Sequence, residues 1–175
     1  KFDIETGEPS TAGAGAPTFT AVFGRTLAEL AKKDPKICAI TAAMPEGTGL
    51  DAFRDAFPAR YYDVGIAEEH AVTFAAGLAA DGMKPVVAIY SSFMQRSFDQ
   101  VQHDVSLQGL PVRLCLDRAG LVGGDGAVHH GFCDVSLLRT LPGAVITAAM
   151  DEPSLRAALE FMRGYDAGLS AVRYP

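Results

Sequence analysis

The sequence predicts an α/β fold, a doubly wound and mostly parallel sheet flanked by helices. Short runs such as Val86-Val87-Ala88-Ile89 and Val112-Arg113-Leu114-Cys115-Leu116 are mostly apolar on both faces, as central parallel strands between helical layers read. Segments of helical periodicity alternate with such runs from Pro17 to the end. The 175 residues, 49% of them hydrophobic, suffice for one domain with its own core.

The elements follow in order. Residues 1–17 alternate charged and small side chains and end in Ala-Gly-Ala-Gly-Ala-Pro, so they read as an exposed arm or linker. Thr18 can cap a helix carrying Phe19, Val22, Phe23, Leu27 and Leu30 on one face, closed by Lys32-Lys33-Asp34-Pro35. A buried strand is expected over 37–43, a brief helix over 50–57 stopped by Pro58, and a strand over 61–64. Then come helix 67–82, strand 85–90, helix 92–108 and strand 111–116. A glycine-rich loop spans 118–131, followed by helix 133–140, strand 144–148, helix 151–163 and strand 169–174.

Composition excludes several classes of function. A net charge of −6 disfavours a nucleic-acid surface. No stretch approaches the roughly 18 apolar residues of a membrane helix, so no membrane partner is expected. Cys38, Cys115 and Cys133 lack CxxC spacing and read as reduced thiols of a cytoplasmic protein. The chain reads as a piece of a longer protein, since it opens on Lys1 and stops at Pro175 behind a strand.

In such folds ligands bind outside the carboxyl ends of strands, and four segments there carry chemistry. The helix over 67–80 is apolar nearly all round, which predicts a buried helix; its charged groups before Asp81 are Glu68, Glu69 and His70. Two acids there either complement the helix dipole or place a carboxylate for proton work in a dry site. On the next helix Met94, Phe98, Val101 and Val105 form the core stripe, while Phe93, Arg96 and Gln100 share another face. A Phe beside an Arg suits a planar or anionic ligand, although a solvated pair reads the same way.

The third segment, Asp117 to Gly131, concentrates glycines with Arg118, Asp125, His129 and His130, too much chemistry for a simple connector. His129, His130 and Cys133 lack a second well-spaced ligand group, so no metal is expected on this chain. Gly124-Asp125-Gly126 has the form of a diphosphate and Mg²⁺ motif, but that motif needs a downstream Asn and the chain has none. The fourth segment places Arg173 at the end of the last strand. Arg118 and Arg173 together would make a two-pronged anion site.

Taken together, four stretches resemble the central pyrimidine-binding domain of the transketolase superfamily of thiamine-diphosphate enzymes. They are Tyr62-Asp63-Val64-Gly65-Ile66-Ala67-Glu68-Glu69-His70, Pro85 to Arg96 with Tyr90-Ser91-Ser92-Phe93, Asp117-Arg118-Ala119-Gly120 with its loop, and Ala171-Val172-Arg173-Tyr174-Pro175. Within the superfamily the similarity is greatest to the 1-deoxy-D-xylulose-5-phosphate synthases, and it covers 18–175. The resemblance implies a transferase that decarboxylates pyruvate and joins the two-carbon unit to glyceraldehyde 3-phosphate, the entry to non-mevalonate isoprenoid synthesis.

It implies roles as well. Glu68 would share a proton with N1′ of the cofactor's aminopyrimidine and favour the tautomer that deprotonates C2. Phe93 would stack on that ring with Arg96 beside it, and Tyr90, Asp125 and His129 would face substrate, His129 as a catalytic group. Arg118 and Arg173 would hold the acceptor's phosphate. The diphosphate and Mg²⁺ ligands are expected on an upstream domain, with a third domain downstream and a homodimer as the assembly. Glu69 and His130 depart from the family, which has Gln at both positions. The alternatives are a transketolase, the β subunit of a 2-oxoacid dehydrogenase, or a non-catalytic α/β module that binds a nucleotide or dimerises.

Overall fold

The computed structural model describes residues 5–6 and 15–175. Most of the arm expected over 1–17 lies outside the described residues; 15–17 are exposed and lead into the first helix. Six strands form one sheet: β1 (Ile37–Thr41), β2 (Tyr61–Asp63), β3 (Lys84–Tyr90), β4 (Arg113–Asp117), β5 (Val145–Ala148) and β6 (Ser170–Arg173). Every pairing is parallel, in the order β2-β1-β3-β4-β6-β5. The helices are α1 (Phe19–Lys33), α2 (Asp51–Ala56), α3 (Glu68–Ala80), α4 (Ser91–Met94), α5 (Phe98–Gln100), α6 (Cys133–Leu138) and α7 (Glu152–Gly164).

Alternate strand residues feed two apolar layers, as the period of two requires. Ala39, Val86, Ala88, Cys115 and Val172 pack with Phe23 and Leu27 of α1 and Leu155 and Leu159 of α7. Ile40, Val87, Ile89, Leu114, Leu116 and Ala171 pack with Ala71, Val72 and Ala75 of α3. Both faces are covered, so the central strands are buried along their length. Because β1 has β2 on one side and β3 on the other, the strand order reverses there. The crevice for a ligand therefore opens at the carboxyl ends of β1, β3 and β4.

Local chemistry sets the ends. Thr18 accepts from the Ala21 N–H at 3.2 Å, a cap on α1 worth about 1 kcal/mol. Asp151 and Ser154 form a reciprocal capping box on α7. At the amino edge, long cations bind backbone carbonyls. The Arg60 guanidinium donates to the carbonyls of Ala31, Asp34 and Ile37 at 3.0–3.2 Å, which satisfies the end of α1. Arg113, 1% exposed, donates to the carbonyls of Met162 (2.7 Å), Pro111 (2.6 Å) and Tyr165 (3.0 Å) and to Asp166 (2.5 Å). Lys84 bridges the Asp34 carboxylate and the Arg163 carbonyl. The three cysteines are free thiols; burial pushes Cys38 up to about 11, and Cys133 is exposed.

Two expectations need correction. The helix expected over 92–108 is not regular: α4 gives way to a tight 3₁₀ turn over Gln95–Ser97, then α5, then a wider π-helical stretch over Val101–Ser106. Tertiary packing explains the change of pitch, since it puts Met94, Ser97, Val101 and Val105 all at 0% exposure. Phe98, expected in that stripe, is only half-buried. The helix α3 is also not buried all round. Ala71, Val72, Ala75, Ala76 and Ala79 face the sheet, whereas Thr73, Gly77 and Ala80 are exposed. Apolar composition without a periodic break hid which side the sheet takes. Among the described residues no helix is long and apolar enough to cross a membrane.

Candidate active site

The loop after β2 delivers Glu68 to the first turn of α3, where it is 2% exposed. Glu69 and His70, each about 100° further round the helix, are exposed. Glu68, to which the resemblance gives the proton-sharing role, and its neighbour Glu69 are thus in opposite environments. A lone buried carboxylate is costly, and Arg96 answers it: its Nη1 donates to Glu68 Oε1 at 2.5 Å. Arg96 comes from the 3₁₀ turn behind α4, and its side chain is 49% exposed.

From Arg96 a platform of rings runs across the end of β3. The guanidinium lies 4.8 Å from the Phe93 ring centre. Phe93 stacks on Tyr90 at 5.4 Å with 11° between planes. His129 meets both edge-on, at 6.1 Å from Tyr90 and 5.5 Å from Phe93. Its neighbour His130 turns away: Nδ1 accepts from the Val122 N–H at 3.3 Å and its ring packs on Phe132. The structure therefore puts His129, not His130, against the platform. Burial raises Tyr90 above the ordinary phenol range, with Arg118 opposing, so its hydroxyl stays protonated at neutral pH and can donate.

Arg118 closes the platform on the other flank, 4.6 Å from the Tyr90 ring centre. Its backbone has φ +58°, a left-handed conformation that costs a side-chain-bearing residue about 1–2 kcal/mol. Its side chain makes several bonds in return. Nη1 donates to Asp117 Oδ1 (2.9 Å), Thr20 Oγ1 (2.9 Å) and the Gly47 carbonyl (3.1 Å), and Nε donates to Asp125 Oδ2 (3.0 Å). Burial pulls the guanidinium pKa down, but hydrogen bonds to Asp117 and Asp125 outweigh it and the net shift is upward. Arg118, Asp125, Thr20, Leu121 and Pro175 line an open cleft of about 500 Å³.

The loop's base is pinned by paired backbone bonds between Gly120 and Gly131, at 2.8 and 2.9 Å. Gly131 must be glycine here, because a Cβ would fall 2.3 Å from Ser91 Oγ and 2.7 Å from the Arg118 carbonyl oxygen. The same Gly131 accepts a bond from Arg173 Nη2 at 3.3 Å, so it adjoins both arginines. Arg173 Nε donates to Asp134 Oδ2 at 2.7 Å, and that carboxylate is 1% exposed. Each of the two expected anion ligands is thus held by acids of this chain.

Sequence reasoning missed Thr20, Gly47 and Asp134, and it quoted Asp117 without giving it a role. The glycines at 47 and 49 behind β1 were the available signal, since β1 ends beside the strand-order reversal. A Cβ on Gly47 would stand 2.6 Å from Tyr90 Oη and 2.8 Å from Met44 Cε. Gly47→Ala is therefore expected to destabilise the fold by about 1–3 kcal/mol through overpacking. Urea unfolding checks this; wild-type stability would mean that Tyr90 moves aside freely. Among the described residues no group of three or more His, Cys, Asp or Glu side chains is arranged to hold a metal ion.

A parallel sheet with its buried acid, ring platform and anchored arginines all at one carboxyl edge defines a ligand-binding α/β domain of the doubly wound class. The sequence matches the family described as "Transketolase, pyrimidine binding domain" over residues 15–175, and the chain belongs to that family. Among solved structures it is similar to one titled "Split gene transketolase, inactive beta4 tetramer", with 29% identity and TM-score 0.76 over 87% of this chain and 49% of that one. Transketolase from Leishmania mexicana (19% identity, TM-score 0.78, 90% of this chain and 26% of that one) shares the fold. So does Pichia stipitis transketolase complexed with sedoheptulose 7-phosphate (16%, 0.80, 93% and 26%). The chain spans between about a quarter and a half of the structures it matches.

Proposed function

We propose that this chain is the pyrimidine-binding domain of a thiamine-diphosphate synthase that condenses pyruvate, with loss of CO₂, and glyceraldehyde 3-phosphate to 1-deoxy-D-xylulose 5-phosphate. The observation that carries the reading is the continuous path Glu68–Arg96–Phe93–Tyr90–Arg118, with His129 against its middle. A buried carboxylate next to a half-buried ring and a guanidinium fits a planar heteroaromatic with a basic ring nitrogen. The Gln100 Oε1 and Ser92 Oγ atoms, buried without a partner, add unsatisfied polar groups on the same helical segment. When bound, thiamine diphosphate supplies a nucleophilic carbon and an electron sink.

Glu68 holds a proton at the cofactor's ring nitrogen, and Phe93 and Arg96 orient the ring. His129 and Tyr90 present a ring nitrogen and a protonated hydroxyl to the reacting carbonyl. Arg118 and Arg173 bind the acceptor's phosphate, and Asp125 orders its hydroxyl end once released from Arg118. The diphosphate and Mg²⁺ would be held by other domains of the same protein, assembled as a homodimer in the cytoplasm. A second reading, a transketolase, is favoured by the names of the structures matched.

Substrate choice separates the two. The complete protein is expected to release CO₂ from pyruvate only when glyceraldehyde 3-phosphate is converted alongside it. If it instead transfers a two-carbon unit from a ketose phosphate and leaves pyruvate untouched, the transketolase reading replaces ours.

A further inference from the structure

We propose that Thr20 is a positioning residue for the acceptor phosphate, acting through Arg118; the inference rests on the reading that Arg118 binds that phosphate. The Thr20 hydroxyl stands between an acid and a cation from the far end of β4. It donates to Asp117 Oδ2 at 2.8 Å and accepts from Arg118 Nη1 at 2.9 Å. A hydroxyl can do both at once, because it has one proton to give and lone pairs to receive. Asp117 is 0% exposed, so its orientation is fixed by the core, and Thr20 passes that orientation on to the guanidinium.

The geometry of Arg118 shows which edge is spent and which is free. Nη1 is taken by three partners that face inward: Thr20, Asp117 and the Gly47 carbonyl. Nε is held by Asp125, whose side chain is 42% exposed and belongs to the glycine-rich loop. Nη2 donates to no described group. With Nη1 spent, the Nε and Nη2 edge is the one left on Arg118 for two-pronged phosphate binding, and among the described residues only the exposed Asp125 competes for it. Thr20 and its neighbours therefore aim that edge at the cleft that Thr20 and Arg118 both line.

The backbone reinforces this. Arg118 holds a left-handed φ of +58°, a conformation that glycine adopts far more readily. A glycine there would leave Thr20, Asp117 and Gly47 without their cation. The conformation directs the side chain back over Tyr90 and into the Thr20 socket. Thr20 reaches its place because α1 packs backbone to backbone on the β1–α2 loop: a Cβ on Gly49 would fall 2.5 Å from the Thr20 carbonyl oxygen.

The test uses the complete enzyme and its two substrates. Thr20→Val keeps shape and removes the hydroxyl; it is expected to raise KM for glyceraldehyde 3-phosphate about tenfold, the loss of one charge-assisted bond's worth of positioning. KM for pyruvate and kcat should change less than about twofold, and Thr20→Ser should restore the acceptor KM, because a serine hydroxyl can make both bonds. If Thr20→Val does not fold, Thr20→Ala, which adds no branched carbon, decides in its place. Should Arg118→Ala raise the acceptor KM while neither Thr20 variant does, the positioning role is overturned and the reading of Arg118 stands. Should Arg118→Ala leave the acceptor KM unchanged, that reading fails and takes the proposal with it. A rise in both substrates' KM values, unrescued by serine, marks a structural role and also overturns it.

Discussion

Glu68→Gln in the complete enzyme is expected to slow exchange of the bound cofactor's C2 proton by roughly 10²–10⁴-fold, the loss typical when a positioned acid–base group is removed. Glu69→Gln is expected to change it by less than about twofold. The contrast follows from burial. Glu68 is 2% exposed and bonded to Arg96 at 2.5 Å, so its carboxylate is desolvated and aimed at a single neighbour. Glu69 is exposed on the same helical turn, where water screens it. In our reading the pyrimidine nitrogen shares Glu68 with Arg96, whose side chain is half-exposed and reaches Glu68 through Nη1. Gln keeps the size and one acceptor but cannot share a proton. Equal exchange rates in wild type and Glu68→Gln, measured by quenched-flow deuterium labelling, would remove Glu68 from this role.

The second large effect falls on the acceptor. Arg118→Ala and Arg173→Ala are each expected to raise KM for glyceraldehyde 3-phosphate by tenfold to a hundredfold and to leave pyruvate, which has no phosphate, much less affected. A hydrogen bond to a charged group contributes about 1.5–3 kcal/mol, and about 1.4 kcal/mol is one decade. The two variants differ in a second respect. Arg173 is the partner of Asp134, which is 1% exposed, so Arg173→Ala leaves a buried carboxylate alone and should also lower the melting temperature. Arg118→Ala also leaves buried Asp117 short of a donor, but the Thr20 hydroxyl and the residue 118 backbone N–H remain bonded to it. Arg118 is thus the cleaner probe. If both KM values rise equally, or only that of pyruvate, the arginines do not clamp the phosphate.

Much of this was legible in the residue string. The two-sided apolar strands announced a parallel sheet, and the rule that ligands meet strand ends pointed to Glu68, Phe93, Arg118 and Arg173. What stayed hidden depends on distance along the chain. Thr20 and Asp117 are 97 residues apart, and no local pattern pairs a hydroxyl in the first helix with an acid in the fourth strand. Asp134 stands in the first turn of α6, where acids are commonplace, and only the fold lays Arg173, 39 residues on, against it. The choice between His129 and His130 needed the loop's backbone turns, which place one ring on Tyr90 and Phe93 and the other on Phe132. The changes of pitch over 95–106 answer to packing beneath the helix rather than to propensity within it.

The cation clamps at the amino edge matter for how such a domain diverges. Arg60, Lys84 and Arg113 tie α1, α7 and the starts of the central strands together through backbone carbonyls and two acids, Asp34 and Asp166. None of these bonds involves the loop from Ala119 to His130. Substitutions in that loop leave the clamps intact, so natural variation can rewrite what the carboxyl edge recognises while the scaffold beneath it is inherited unchanged.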